Sequence, residues 1–148
     1  MKINFTKKEF SALLEMLYIA NWVISSHKLE ISPVEKPYDD LEKKLYALAA
    51  DFGCEDKITY SRELGEYCPT HYFEMESPHM EFIDDYDAQT FWDEIVDRLA
   101  TRDAIREVGE EAYWKMEPTD RFSLLGEYIE KWGTEFEAHG LDNLTVKT

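Results

Sequence analysis

The residues most able to do chemistry are the carboxylates and the histidine that crowd residues 74–87. Ca²⁺ and Mg²⁺ bind where several oxygen ligands converge, so a metal-assisted enzyme is one interpretation of this region. Its spacing lacks the glycine and the regular alternation of an EF-hand, and no two histidines stand one helical turn apart as in a zinc protease. A solvated acidic face is therefore the favoured interpretation, and no metal is assigned. The region contains Glu74, Glu76, His79, Glu81, Asp84, Asp85 and Asp87, of which His79, Asp84, Asp85 and Asp87 are the candidate ligands.

A second set of polar residues lies near the end of a long apolar stretch. Asn21 is the one polar residue centred on the main apolar stripe, which favours a structural hydrogen-bonding role over contact with a ligand. Ser25, Ser26 and His27 follow it. A serine beside a histidine in sequence is no catalytic triad, because nucleophile and base must meet in space with a third orienting group. Asn21 and His27 are kept as binding candidates, and no catalytic residue or cofactor is predicted.

Tryptophans form the third candidate set. Trp22 occupies a narrow polar sector of the apolar stretch, and Trp92 and Trp114 lie in later helical segments. Tryptophan supplies a large contact area at protein interfaces, although it is also mostly buried on average. Trp22 and Trp92 are thus binding candidates, with burial of Trp22 beneath residues 54–77 as the alternative.

The element that must position these residues is the stretch FSALLEMLYIANWVI, residues 10–24, which is apolar on nearly every side. At about 100° per residue, Phe10 and Leu14 share one stripe and Met16 and Val23 share the opposite one. Such a helix is normally covered on both faces, so we expect it to be the central post of a helical bundle. Its start carries two signals, because Thr6 with Glu9 fits a capping box and Phe5 with Phe10 fits a hydrophobic staple.

Further helices follow from proline, glycine and hydrophobic spacing. Pro37 and Gly53 bound a second helix over residues 38–52. Pro78 opens a short helical turn, after which Asp87 is the predicted N-cap of a new helix that ends at Gly109. The last helix begins at Glu117 and Pro118 and ends at Gly140. The predicted core stripe of the second helix consists of Leu41, Leu45, Leu48 and Phe52.

Two glycines stand inside the last helix. Gly126 and Gly133 are one heptad apart, and each costs about 1 kcal/mol relative to alanine in an exposed helix. This spacing suggests that another backbone passes close to that flank.

Strands are expected to be few and short. Within residues 57–75, Ile58 and Tyr60 alternate with polar residues, which fits a hairpin or an ordered loop. Residues 1–5 and 144–147 could form terminal strands, and nothing in the sequence establishes whether they pair.

Charge narrows the possible functions. The chain has 148 residues and a net charge of -16. Residues 1–53 carry seven Lys and Arg against eight Asp and Glu, so a charge of -15 falls on residues 54–148. Such a field repels phosphates, so direct nucleic-acid binding is not expected. It suits either a solvated surface or a docking face for a basic partner.

The cellular compartment is predicted from the two cysteines and from the length of the first apolar stretch. Cys54 and Cys68 have no partner at the spacing of a zinc site, and reduced thiols are the default. Glu9, Glu15 and Asn21 interrupt the first apolar stretch, which leaves it too short to span a bilayer. We therefore predict a cytoplasmic protein with no membrane association.

The segments FWDEIVDRLATRD and FTKKEF resemble those of small acidic bacterial proteins of uncharacterised function. This resemblance implies a helical cytoplasmic protein and assigns no activity to any residue.

Together these observations predict a mainly α fold, with residues 1–148 as one acidic helical domain. The expected function is a non-enzymatic protein-interaction domain with an acidic or aromatic docking surface. Its partner would be a basic protein or a second copy of the chain as a homodimer. The alternative is the metal-assisted enzyme that uses residues 74–87.

Overall fold

The mainly α prediction is confirmed by a computed structural model, which describes residues 3–145. The chain divides into two compact units, one up to Asp85 and one from Tyr86. The prediction of one domain built around the first helix stays a prediction. In chain order the elements are α1 (Lys7–Ser25), α2 (Lys36–Tyr46), a 3-10 turn (Ala50–Phe52), β1 (Ile58–Ser61), β2 (Glu66–Pro69), α3 (His71–Met75), α4 (His79–Val108), α5 (Glu110–Lys115) and α6 (Pro118–His139).

Helix α1 begins as its sequence predicts. The Thr6 hydroxyl accepts from the Glu9 amide at 3.3 Å, and the Thr6 amide donates to the Glu9 carboxylate at 2.8 Å. The rings of Phe5 and Phe10 meet edge to face at 6.3 Å, which completes the staple. Two orphan amides of the first turn are thereby satisfied, so the helix start is locally encoded.

The core of the first unit lies on one side of α1. Helix α2, the residues that follow it, the hairpin and α3 all contribute to a single cluster around this side. Met16 and Val23, on the opposite side, are 66% and 57% exposed. The prediction that both faces of α1 are covered is therefore wrong within the first unit, because the described core elements of this unit pack on the same face. The cluster consists of Phe10, Leu14, Tyr46, Ala49, Cys54, Ile58 and Phe73.

The second predicted helix and its core stripe are confirmed in part. Helix α2 ends at Tyr46, earlier than predicted. Of the predicted stripe, Leu45 and Phe52 pack against the core, whereas Leu41 and Leu48 are exposed. Tyr46 is buried instead. A tyrosine can replace leucine in a core when its hydroxyl finds a partner. Here the Tyr46 hydroxyl donates to Glu42 at 2.9 Å, one helical turn earlier.

The predicted hairpin in residues 57–75 is present. Strands β1 and β2 pair antiparallel, with Ile58 opposite Pro69 and Tyr60 opposite Tyr67. Gly65 has a φ of 73° in the connection, a value that favours glycine. Residues 3–5 and 144–145 form no strand, and the remainder of the predicted terminal strands lies outside the described residues.

The second unit is built from helices. The predicted N-cap at Asp87 is wrong, because α4 runs unbroken from His79 to Val108. No glycine or proline occurs between these ends, so nothing interrupts the helix. The predicted stops are confirmed: Gly109 follows α4 with a φ of 87°, and Gly140 caps α6 with a φ of 56°.

Helices α4 and α6 contact each other through aromatic and polar side chains. Trp92 meets Phe136 at 5.6 Å between ring centroids, and the Trp132 indole donates to Asp103 at 3.1 Å. Because the later residue of α4 contacts the earlier residue of α6, the two helices run antiparallel. Within residues 3–145, no helix is long and apolar enough to cross a membrane.

Candidate functional site

The first candidate site is a cavity between α1, α2 and the end of the hairpin, which we call the Glu42 cavity. Its volume is about 430 Å³. Both Asn21 and Trp22 line it, so two of the predicted binding residues lie together. The described residues that line it are Tyr18, Asn21, Trp22, Ser25, Ser26, Glu42, Tyr46, Pro69 and Glu74.

A chain of hydrogen bonds holds one wall of the Glu42 cavity. The Glu42 carboxylate accepts from the Tyr46 hydroxyl at 2.9 Å and from the Asn21 side-chain amide at 3.2 Å. The Asn21 side-chain oxygen in turn accepts from the Ser25 hydroxyl at 2.8 Å. Asn21 thus joins α1 to α2 and also borders the cavity.

The electrostatics of this wall are governed by burial. Desolvation raises the pKa of Glu42, and the charge of Asp39 raises it further. The hydrogen bonds from Tyr46 and Asn21 and the charge of Lys43 lower it. Desolvation also raises the pKa of Tyr46, with the Glu42 charge adding to the shift. The two described donors to Glu42 are neutral, and the charge of Lys43 acts on it without a described ion pair between them.

His79 is buried and contacts Tyr18, one of the residues that line the cavity. Its ring lies 5.0 Å from that of Tyr18 and 4.5 Å from that of Phe73. Neither ring nitrogen has a hydrogen-bond partner in the described structure. Desolvation lowers the pKa of His79; the charge of Glu15 raises it and that of Lys57 lowers it. His79 is therefore a packed core residue.

The predicted cation ligands do not converge. Asp84, Asp85 and Asp87 occupy exposed positions along α4, whereas His79 points into the core. Across residues 3–145 the structure gathers no group of three or more His, Cys, Asp or Glu side chains able to hold a metal ion. A helix spreads neighbouring side chains around its axis, which explains why residues close in sequence are not close in space.

The serines and the histidine at the end of α1 lie in different surroundings. Ser25 donates to the Asn21 backbone oxygen at 2.9 Å as well as to the Asn21 side chain. Ser26 lines the Glu42 cavity, whereas His27 is exposed and does not line it. His27 therefore remains only a surface candidate.

A second candidate site is a groove between α4 and α6, which we call the Trp92 groove. It has a volume of about 590 Å³. Trp92 is 36% exposed, and its ring packs between those of Phe91 and Phe136. Gln89 donates to Asp93 at 2.8 Å along the rim. The lining is Gln89, Trp92, Asp93, Val96, Gly133, Phe136 and Glu137.

The glycine of this groove corrects a sequence prediction. A methyl group at either Gly126 or Gly133 would meet no described atom within 4 Å. No backbone of the described chain therefore passes close to this flank, and that prediction is wrong. At Gly133 the missing side chain instead leaves open space within the Trp92 groove.

The remaining aromatic and thiol candidates are placed as follows. Trp114 is exposed, and the Arg121 guanidinium lies 5.8 Å from its ring. Cys54 and Cys68 are free thiols, and desolvation raises the pKa of each. A raised pKa leaves little thiolate at neutral pH, so neither thiol is activated as a nucleophile.

Sequence reasoning missed several residues of these sites. It did not single out Glu42 and Tyr46, although a carboxylate four residues before a tyrosine on one helix face is a recognisable pair. It also assigned no role to Tyr18. Their placement depends on contacts between helices, for which the sequence holds no local signal.

Comparison with known proteins finds no matching family model, curated protein or solved structure.

Proposed function

We propose that this protein is a non-enzymatic interaction domain that binds a basic partner protein through the Trp92 groove. The observation that carries the proposal is the lining of the groove. Its apolar floor of Trp92, Val96 and Phe136 is bordered by the carboxylates of Asp93 and Glu137. A partner segment with apolar and basic side chains is the complement of this surface.

The charge of the surrounding chain supports the same partner. Residues 86–148, the second unit, contain seven Lys and Arg against fifteen Asp and Glu, a net charge of -8, so the field around the groove attracts a basic protein and repels phosphates. The lining described for the groove includes no lysine or arginine. A basic segment would therefore meet no repelling group among these side chains.

The open flank at Gly133 provides a geometric reason for docking here. Interior glycines destabilise an exposed helix by about 1 kcal/mol each relative to alanine. At Gly133 the missing side chain deepens the groove, so a partner side chain could approach the α6 backbone. Gly126 lies one heptad earlier and does not line the groove, which makes it a matched control.

The test uses an amphipathic helical peptide of leucine and lysine as a defined basic partner. Isothermal titration would compare wild type, Gly133→Leu and Gly126→Leu at low and moderate salt. We expect Gly133→Leu to weaken binding roughly tenfold, the equivalent of about 1.4 kcal/mol, while Gly126→Leu binds as wild type does. Binding should also weaken as salt screens the carboxylates. The groove is refuted as the docking site if both variants bind the peptide with equal affinity, or if the affinity does not change with salt concentration.

A second copy of this chain is the other candidate partner, and the outer face of α1 favours it. Met16 and Val23 are exposed there, and residues 1–53 have a net charge of only -1. Self-association on this near-neutral face avoids the repulsion that the more acidic residues would cause. Sedimentation equilibrium of wild type and Met16→Lys tests this, and a wild type that stays monomeric over a wide concentration range rules it out.

A further inference from the structure

The Glu42 cavity has a lining of two carboxylates and three aromatic rings. Glu42 and Glu74 supply negative charge, and the nine described lining residues include no lysine or arginine. Lys43, adjacent to Glu42 in sequence, is instead held by Asp39 at 3.3 Å and Glu66 at 3.4 Å. The cavity is therefore an electronegative space without an internal counter-ion among its lining side chains.

The aromatic residues of the cavity select the kind of cation. Tyr18, Trp22 and Tyr46 line the same space. The negative faces of aromatic rings attract ammonium and quaternary ammonium groups, which are also large enough to contact several rings. A hard metal ion would need several converging oxygen ligands, and the described residues gather no such set. The lining thus favours an organic cation over a metal ion.

The burial and the hydrogen bonds of Glu42 also favour a cation as the ligand. Its carboxylate is partly buried, and the described residues that donate hydrogen bonds to it are the neutral Tyr46 and Asn21. Partial burial makes this charge costly, and no described side chain forms an ion pair with it, so a cation entering the cavity would offset the cost. The hydrogen bonds also hold the carboxylate in one orientation before the ligand arrives, which reduces the entropy lost on binding.

We propose that the Glu42 cavity binds an organic ammonium ion, with Glu42 and Glu74 neutralising its charge and Tyr18, Trp22 and Tyr46 packing around its alkyl groups. The volume of about 430 Å³ suits a small molecule or the end of a single side chain. The ammonium group belongs either to a free amine or to a lysine side chain of a peptide. This site lies wholly within the first unit, and the proposal is independent of the Trp92 groove.

The experiment titrates the intact chain with choline chloride at constant ionic strength and follows the Trp22 indole resonance by NMR. Substitution Trp22→Phe identifies that resonance. A matched titration with 3,3-dimethyl-1-butanol, which has nearly the same shape and no charge, measures the contribution of the cation. We expect millimolar binding of choline, at least about tenfold tighter than that of the neutral alcohol.

Three substitutions locate the site. Glu42→Gln and Glu74→Gln preserve shape and should each weaken choline binding roughly tenfold. Glu63→Gln removes the same charge from the exposed hairpin connection and should leave binding unchanged. If Glu42→Gln does not fold, Glu74→Gln carries the test, because it is not part of the hydrogen-bond chain that joins α1 and α2.

The source of the ammonium group is distinguished by a parallel titration with Nα-acetyl-lysine methyl amide. Saturable binding of either cation at Trp22 supports the proposal and identifies which source fits. The proposal is overturned if neither cation shifts the Trp22 resonance up to about 50 mM. It is equally overturned if the neutral alcohol binds as tightly as choline, or if both glutamine variants bind choline as Glu63→Gln does.

Discussion

The Glu42 cavity and the Trp92 groove both combine carboxylates with aromatic rings, yet they hold these groups in different physical settings. In the cavity, Glu42 is partly desolvated and fixed by Tyr46 and Asn21. On the groove rim, Asp93 and Glu137 are exposed to solvent. A desolvated, oriented charge discriminates between ligands by their charge and shape, whereas exposed charges are screened by salt and mainly steer association. Acidic composition alone therefore does not specify how a surface recognises its partner.

The largest expected effect is on the free energy of unfolding, when a buried ring of the first unit is removed and compared with an exposed ring of the second unit. Phe73 is fully buried and meets the Tyr18 ring at 5.4 Å. We expect Phe73→Ala to lower the free energy of unfolding by about 3–5 kcal/mol, because it removes buried contacts and leaves a cavity. The matched control Phe122→Ala, at a side chain that is 79% exposed, should change it by less than about 0.5 kcal/mol. Urea denaturation measures both, and similar losses would show that the two regions do not differ in this way.

An intermediate effect is the change in stability with pH that buried His79 causes. Burial lowers the pKa of His79 below its ordinary value of 6.5, so the unfolded chain binds a proton more readily than the folded one. The stabilising contribution of the neutral ring is present above pH 6.5 and is lost as pH falls through the lower pKa of the folded state. One such group changes the free energy of unfolding by at most about 1.4 kcal/mol per pH unit.

The groups around His79 define the control for this pH effect. Tyr18 and Phe73 pack against the ring, and the charges of Glu15 and Lys57 act on it in opposite directions. Denaturation of wild type and His79→Leu between pH 7.5 and 5.5 should show a steeper loss of stability in wild type. Parallel pH profiles would mean that His79 does not titrate differently in the folded chain.

The smallest expected effect is the gain in stability when either interior glycine of α6 is replaced by alanine. Neither Gly126→Ala nor Gly133→Ala would meet a described atom within 4 Å. Each should raise the free energy of unfolding by about 0.5–1 kcal/mol, because alanine favours the helix and restricts the unfolded chain. Thermal denaturation of both variants checks this. A loss of stability at Gly133 alone would reveal a close contact on that flank.

Much of the local structure could be predicted because its signals act over a few residues. The capping box at Thr6, the glycine after α4 and the proline that opens α6 each mark a helix end correctly. The predicted N-cap at Asp87 fails because a good capping residue is also tolerated on an exposed helix surface, and residues 79–86 contain nothing that ends a helix. The hairpin follows from the alternation at Ile58 and Tyr60.

The candidate sites could be predicted only in part. Asn21, Trp22 and Trp92 were predicted and line the two sites. They could be predicted because a polar residue on an apolar stripe and a tryptophan in a helical segment are both visible in the sequence. Glu42 was missed, because charged residues on a helix are normally exposed and nothing nearby in the sequence indicates that this one is covered.

By itself, the sequence determined a mainly α chain, the beginnings and ends of several helices, and a strongly acidic charge. These properties depend on composition and on interactions within one or two turns. Only the tertiary structure decided that Glu42 meets Asn21, that His79 is packed against Phe73 and that the described core of the first unit lies on one face of α1. Each of these outcomes depends on how separate elements pack, and packing brings together residues that no local pattern connects.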